Sequence, residues 1–215
     1  STDNNYVGWL DDKDRTTQWR WLRISGNGEI DLNNPKWDSN TLFRIATESG
    51  TQELIGNDNA NWFFAQEGDD KLFGNGGNDT LLGGKGKDEI KGGKGNDHIE
   101  GNEGVDILYG GDGNDIIIGN EGNDYLVGNS GDDSLIGNDG NDTCSGGTGD
   151  DLLQGGNGRD RALFSYQDNQ IDLRITTAQN TGEGSDTLIS IEDVSGGSGN
   201  DTIRGNSKAN SLYGN

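Results

Sequence analysis

A nine-residue repeat runs through residues 65–154, and it constrains the fold more than any other feature of the chain. Two of its ten copies read GGKGKDEIK at 83–91 and GGDGNDIII at 110–118. Every copy has Gly fourth and Asp sixth, and all but the first copy begin with Gly followed by Gly or Asn. The eighth residue is Leu or Ile everywhere except at Cys144. Columns held in register over this length predict a stack of identical structural units.

The aspartate column predicts a metal site in each unit. Carboxylates that recur at fixed spacing stack in any regular coil, where they repel one another unless a cation lies between them. Calcium suits such sites best, because it accepts six to eight oxygen ligands and tolerates irregular geometry. Magnesium demands a tighter octahedron, and zinc prefers His or thiolate ligands, of which the chain has one each.

The other columns predict the shape of each unit. Glycines allow a six-residue turn to adopt left-handed backbone angles and to direct carbonyls at an ion. The remaining three residues suffice for a short strand, in which only the middle residue, the eighth of the repeat, faces inward. Its neighbours, such as Glu89 and Lys91, are polar and are expected to face solvent.

Two units per turn give a coil of 18 residues that advances by ~4.8 Å, the spacing between strands. The aspartates then form two rows, and one ion is expected between row neighbours, which gives about nine sites. The Asp70 row contains Asp70, Asp88, Asp106, Asp124, Asp142 and Asp160. The Asp79 row contains Asp79, Asp97, Asp115, Asp133 and Asp151.

These residues resemble the RTX (repeat-in-toxin) family, whose unit is Gly-Gly-x-Gly-x-Asp-x-aliphatic-x. The resemblance covers 65–163 strongly, and 181–189 and 196–213, with Asp201, more loosely. It implies a right-handed parallel β-roll in which Asp side chains and turn carbonyls hold calcium. The implied carbonyls lie near Gly77, Gly86, Gly95, Gly104, Gly113, Gly122, Gly131, Gly140 and Gly149.

The resemblance also implies a biological setting. Proteins of this family are exported from Gram-negative bacteria by type I secretion and fold when they meet calcium outside the cell. We therefore expect a secreted, extracellular module that stabilises a longer parent protein. The chain ends at Gly214-Asn215, the first two letters of another copy, which favours a fragment with neighbouring domains.

Composition agrees with folding that depends on calcium. The 215 residues carry a net charge of -22, 39 glycines and only 27% hydrophobic residues, which is closer to a disordered chain than to a globular one. About nine Ca²⁺ would offset most of this charge, so binding and folding are expected to be coupled. We expect no nucleic-acid partner, because no basic surface tracks a phosphate backbone, and no membrane insertion, because no apolar run is long enough.

The region before the repeats is predicted to be an aromatic-rich β cap at 1–46. Alternation around Trp19–Ile24 and Ile30–Leu32 predicts short antiparallel strands joined by a turn at 26–28. The alternative is a carbohydrate-binding face formed by Trp9, Trp19, Trp21 and Trp37, which would attach an enzyme or an adhesin to polysaccharide or to a cell surface.

The rest of the chain divides into a roll at 47–163, a strand-rich insert at 164–195 and the start of a second repeat block at 196–215. Residues 47–64 keep the nine-residue phase but carry Gln52 and Asn61 in place of Asp, so they are expected to be starter coils without strong calcium sites. Within the insert, 181–189 is a repeat that lacks its first glycine, and Asn210 replaces Asp in the last copy.

No enzymatic activity is predicted. With His98 as the only histidine, neither a Ser-His-Asp triad nor a paired-His metalloprotease site is possible in this chain. Cys144 is expected to be a buried, inert thiol, with a reactive or dimer-forming thiol as the alternative. His98 and the basic cluster of Lys85, Lys87, Lys91 and Lys94 are expected on the surface. A segment that spaces the domains of an adhesin remains a further hypothesis.

Overall fold

The computed structural model describes residues 6–10, 19–25, 28–31, 33, 42–47, 49–165 and 168–214. The secondary structure of these residues is all β, as predicted. None of them belongs to a helix that is long and apolar enough to cross a membrane. The first twelve strands are β1 (Tyr6–Leu10), β2 (Trp19–Ser25), β3 (Gly28–Asp31), β4 (Leu42–Thr47), β5 (Gln52–Ile55), β6 (Trp62–Glu67), β7 (Lys71–Gly76), β8 (Thr80–Lys85), β9 (Glu89–Lys94), β10 (His98–Glu103), β11 (Ile107–Asp112) and β12 (Ile116–Glu121). The others are β13 (Tyr125–Ser130), β14 (Ser134–Asp139), β15 (Thr143–Thr148), β16 (Leu152–Asn157), β17 (Arg161–Leu163), β18 (Gln170–Asp172), β19 (Gln179–Asn180), β20 (Ser185–Ile189), β21 (Asp193–Ser195), β22 (Thr202–Arg204) and β23 (Leu212–Tyr213).

Two parallel sheets form a solenoid, because consecutive strands from β2 to β17 alternate between them. The first sheet runs β1-β2-β4-β6-β8-β10-β12-β14-β16-β20-β19, and the second runs β23-β21-β17-β15-β13-β11-β9-β7-β5-β3. Pairing is parallel throughout, apart from the terminal pairs β1–β2 and β19–β20 of the first sheet. This is the parallel β-roll that the family resemblance implied, and the solenoid has about nine turns.

The register confirms an 18-residue turn. Ile99 pairs with Leu81 on one side and with Ile117 on the other. The eighth-column side chains from Leu72 to Leu153, Cys144 included, are fully buried between the two sheets. One apolar side chain per copy therefore builds a narrow core that runs the length of the solenoid.

The strands are longer than predicted. From β7 to β16 each spans six residues, the last three of one copy and the first three of the next, where three per copy were expected. The hydrogen-bonded ladder continues past the inward residue because residues of the second and third columns also pair with the next coil, as Asn102 does with Asn120 and Glu103 with Glu121. The turn proper is therefore limited to the fourth, fifth and sixth residues.

The predicted antiparallel hairpin at the N-terminal end is wrong. β2 pairs in parallel with β4 in the first sheet, and β3 pairs in parallel with β5 in the second. Alternation of apolar and polar residues is the same for either pairing, so the pattern could not reveal the direction. The carbohydrate-binding face predicted here lies outside the described residues, since Trp37 and the side chains of Trp9, Trp19 and Trp21 are not among them.

Beyond residue 163 the chain leaves the solenoid and later returns to it. β20 pairs with β16 and β21 pairs with β17, so both sheets continue inside the predicted insert. Between these points, β18 pairs with the later β22 in a separate two-stranded parallel sheet. This return places Asp186 and Glu192 next to the last aspartates of the two rows.

Candidate metal centre

The aspartates of both rows are buried at the end of the turn, immediately before a strand. Except in Asp151 and Asp160, the last aspartate of each row, the backbone N–H of each one donates to the Oδ1 atom of the aspartate 18 residues later. The N–H of Asp88 donates to Asp106 at 2.8 Å, and that of Asp106 donates to Asp124 at 2.9 Å. These bonds hold each row in register and leave the second carboxylate oxygen for another role.

That second oxygen, Oδ2, is buried without a hydrogen-bond partner. It is so in every aspartate predicted as a ligand: Asp70, Asp79, Asp88, Asp97, Asp106, Asp115, Asp124, Asp133, Asp142, Asp151, Asp160 and Asp201. An ionised carboxylate buried without a compensating partner is strongly unfavourable, and a bound cation removes this cost. The orphaned oxygens therefore fit a metal at the predicted positions.

First-column glycines form a cradle around the orphaned oxygens, except at Asp70, whose copy begins with Ala65. A Cβ atom added at Gly83 would lie 2.2 Å from Oδ2 of Asp88 and 3.0 Å from the carbonyl oxygen of Gly101. At Gly92 the corresponding distances are 2.1 Å to Asp97 and 2.8 Å to Gly110. Glycine is needed here because a side chain would fill the space between two oxygens that can both bind a cation.

We call the group of oxygens that recurs at each cradle a rung. It contains Oδ2 of one aspartate, the carbonyl of the first-column residue 13 positions later, and the aspartate 18 positions later. Nine rungs join aspartates 18 residues apart, and the close carbonyl is seen in the seven that begin at Asp79, Asp88, Asp97, Asp115, Asp124, Asp133 and Asp142. The sequence predicted carbonyl ligands near the fourth-column glycines, whereas the cradles bring first-column carbonyls close to the carboxylates.

The fourth-column glycines permit close stacking of the turns. Gly104 has φ of 149°, and a Cβ atom there would lie 1.5 Å from the carbonyl oxygen of Gly86. The second column has a related requirement, since Asn102 and Asn120 adopt φ of 80° and 78°. Asn and Gly are the residues that accept left-handed angles most readily, which explains why the second residue is Asn or Gly in every copy but the first.

Burial raises the pKa of every aspartate in the two rows, Asp160 included, while the backbone hydrogen bonds partly offset the rise. The pKa is about 8 for Asp79, about 7 for Asp88, Asp97, Asp133 and Asp142, and about 6 for Asp70, Asp106, Asp115, Asp124 and Asp151. Carboxylates in this environment favour either a proton or a cation over a bare negative charge.

The donor set suits calcium. Among the described residues, no three His, Cys, Asp or Glu side chains gather in one place to hold a metal. Each rung instead offers two carboxylates together with backbone carbonyls, an all-oxygen set of the kind calcium accepts and zinc does not favour. Water would complete the coordination.

Two acidic residues were missed as members of the rows. Oδ1 of Asp186 accepts from the N–H of Asp151 at 2.9 Å, and Oε2 of Glu192 accepts from the N–H of Asp160 at 3.0 Å. They lie 35 and 32 residues after Asp151 and Asp160, so a search for acidic residues at a spacing of 18 residues does not find them. Asp186 was nevertheless visible as the sixth residue of the copy at 181–189, whereas Glu192 carries no repeat signal.

A second ladder on the turn surface was also missed. The N–H of Asn96 donates to Oδ1 of Asn78 at 3.0 Å, and the N–H of Asn114 donates to Oδ1 of Asn96 at 2.9 Å. The same bond recurs at Asp132 and Asp150. At a period of 18 residues, the fifth-column residues that precede the aspartates of the Asp79 row are all Asn or Asp. This pattern could have revealed the second ladder from the sequence.

The remaining candidate residues take structural or surface positions. Cys144 is fully buried in the core column, and burial raises the pKa of its thiol well above the usual range, so it is the inert thiol expected. His98 is partly exposed, with Nε2 2.7 Å from Glu100. In the basic cluster, Lys85 pairs with Glu103 at 2.7 Å and Lys91 with Glu89 at 2.7 Å, both on the surface.

Comparison with known families agrees with this geometry. A family model described as the RTX calcium-binding nonapeptide repeat (4 copies) matches residues 55–90, 82–117, 118–153, 136–162 and 195–215. These ranges cover more than half of the chain. No curated protein matches the sequence.

Proposed function

The chain belongs to the RTX calcium-binding nonapeptide repeat family, and from this premise we propose that it folds on binding calcium after export and then stabilises a secreted bacterial parent protein. It is a calcium-binding module built as a parallel β-roll. The acidic chain would stay extended inside the cell, where free calcium is scarce, and would fold outside the cell.

The orphaned carboxylate oxygens are the observation that carries this proposal. Twelve buried Oδ2 atoms have no hydrogen-bond partner, and eleven of them lie in two continuous rows. Burying such groups uncompensated costs more than one apolar side chain per copy returns. A cation on each rung converts this cost into the main attraction between coils, so binding free energy is also folding free energy.

We assign the ligands as the predicted aspartates of the two rows, with Asp201 as a separate position beside β22. Each of the nine rungs between aspartates would bind one ion, which gives about nine ions. The carbonyls of the first-column glycines are assigned as further ligands, because they share the cradle with Oδ2.

The module is proposed to have no chemistry of its own. The aspartates are committed to ions, so they are not tuned as general acids, and the chain has one histidine. Its partners would be calcium and the neighbouring domains of the parent, and its location would be extracellular.

Replacing a shared ligand tests the assignment. Asp106 belongs to two rungs, with Asp88 and with Asp124. We expect Asp106→Asn to remove about two bound ions, because an amide keeps the hydrogen bond from Asp88 but loses the charge. The rung between Asp97 and Asp115, in the other row, should keep its ion. Native mass spectrometry at saturating calcium counts the ions.

Asp112→Asn is the matched control, because Asp112 is exposed in the third column and lies outside every rung. It makes the same change of charge and should leave the ion count unchanged. Equal losses in the two variants would show that net charge, and not the rows, governs binding.

The raised pKa values predict a pH dependence that reverses with calcium. In the metal-free folded state the pKa of Asp160 is raised, and the other row aspartates have pKa values of about 6 to 8, compared with about 3.9 when unfolded. The folded state then binds more protons, so its stability is greatest at low pH and is lost as pH rises through about 6 to 8. With calcium bound the carboxylates are ionised and protons compete with the ion, so stability should rise with pH.

Thermal unfolding at pH 5 and pH 8 measures how stability changes with pH in the metal-free and in the calcium-saturated protein. Metal-free protein should show more β structure at pH 5, and calcium-saturated protein should have its higher melting temperature at pH 8. The same slope in both states would mean that the row carboxylates do not hold the ion.

A further inference from the structure

The last position of the Asp70 row has different side chains from the positions in the interior of the row. Beyond Asp160 the next member is Glu192, which is 6% exposed and accepts from the N–H of Asp160 through Oε2 at 3.0 Å. The pairing of Arg161 with Asp193 confirms that Glu192 occupies the aspartate position of the next coil. The last position of this row is therefore a rung with a glutamate in place of the second aspartate.

This terminal rung retains the oxygen cradle of the others. A Cβ atom at Gly155 would lie 2.4 Å from Oδ2 of Asp160 and 2.3 Å from the carbonyl oxygen of Ser190. Ser190 has φ of 53°, a left-handed conformation unusual for serine, and supplies the carbonyl that a first-column glycine supplies elsewhere. Two carboxylates and a carbonyl thus converge here as they do at the interior rungs.

The terminal rung differs in having a cation of the chain beside it, on a side chain that is 59% exposed, while Oδ2 of Asp160 still has no hydrogen-bond partner. Nζ of Lys208 lies 2.5 Å from Oε1 of Glu192. The hydrogen bond to Glu192 raises the pKa of Lys208, and the charges of Glu192 and Asp160 raise it further. The turn that carries Lys208 is fixed locally, since its N–H donates to Oδ1 of Asn206 at 2.9 Å and the N–H of Asn206 donates to Oδ1 of Asn210 at 2.9 Å.

We propose that the ammonium of Lys208, by neutralising Glu192, keeps calcium out of the terminal rung of the Asp70 row, so that no ion is bound between Asp160 and Glu192 in the native protein. This inference rests on the proposed function, because it assumes that the interior rungs bind calcium. Glutamate is one methylene longer than aspartate, which lets its second oxygen reach the lysine while the first keeps the register bond.

The Asp79 row ends with a different internal donor. There the hydroxyl of Thr181 donates to Oδ2 of Asp186. Each row is therefore closed at its C-terminal end by a donor from the chain itself, and only the Asp70 row receives a full positive charge. The lysine is the group whose removal should expose a new metal site.

Native mass spectrometry of Lys208→Met at saturating calcium tests the proposal. We expect one more bound ion than in the wild type, because the freed carboxylates and the Ser190 carbonyl form a complete rung. The double variant Lys208→Met/Glu192→Gln should return to the wild-type count. Lys208→Arg, which keeps the charge, should bind the wild-type number of ions.

Lys85→Met is the matched control, since Lys85 is about as exposed as Lys208 and also pairs with a glutamate, but lies outside the rungs. It should bind the wild-type number of ions. An unchanged count in Lys208→Met would overturn the proposal, as would a Lys208→Met chain that stays unfolded in saturating calcium. A wild type that binds no calcium would instead remove the proposed function itself.

Discussion

Excess EGTA is expected to abolish most of the β-sheet signal of this protein in circular dichroism at pH 8, and added calcium is expected to restore it. Without ions, two rows of buried carboxylates must either carry uncompensated charge or take up protons. The apolar core contributes one side chain per copy and cannot offset this cost over the whole solenoid. The metal-free chain should therefore expand.

The size of the expected effect follows from linkage. An ion present at 100 times its dissociation constant stabilises the folded state by about 2.7 kcal/mol. A few such ions already equal the roughly 5–15 kcal/mol that separates the folded and unfolded states of an ordinary domain. Removing all of them should leave no stable fold, and the transition should be cooperative because neighbouring rungs share an aspartate.

Magnesium provides the control for this experiment. It has the same charge as calcium but needs a smaller, octahedral set of ligands and keeps its waters. At equal concentration it should restore much less β structure. Full β content in excess EGTA would contradict the view that ions hold the coils together, and equal rescue by magnesium would contradict the assignment to calcium.

The sequence predicted the solenoid, and it selected the candidate ligands, because each repeat column has one physical task. The eighth column, from Leu72 to Leu153, forms the buried core, and the aspartate column forms two rows at a spacing of 18. Both features follow from a period that can be counted. The buried, unpartnered oxygens then occur at the aspartates that the period selects.

The features that the sequence could not reveal depend on contacts that do not recur at a fixed spacing in the chain. The parallel pairing of β2 with β4 gives the same alternation as a hairpin would. Asp186 and Glu192 join the rows only after the chain has left the solenoid and returned. The partner of Lys208 is 16 residues away in another coil, and no repeat column contains it.

Gly104→Ala is expected to destabilise the calcium-bound protein by about 4 kcal/mol or more, in the range reached only by severe core or backbone defects. Gly104 lies in the middle of the roll with φ of 149°, which an L-residue with a side chain rarely adopts. The added Cβ atom would also lie 1.5 Å from the carbonyl oxygen of Gly86. Backbone cannot swing aside as a side chain can, so the coils on either side must separate.

Gly76→Ala is the matched control, because Gly76 lies in the same solenoid, does not have a positive φ, and has as its nearest neighbour the exposed side chain of Asp58 at 3.3 Å. It should change stability by no more than about 1 kcal/mol. Thermal unfolding in saturating calcium compares the two variants, and we expect a fall of roughly 10 °C or more for Gly104→Ala alone. A similar fall in both would mean that neither the left-handed backbone nor the contact between stacked turns explains why the fourth column is always glycine.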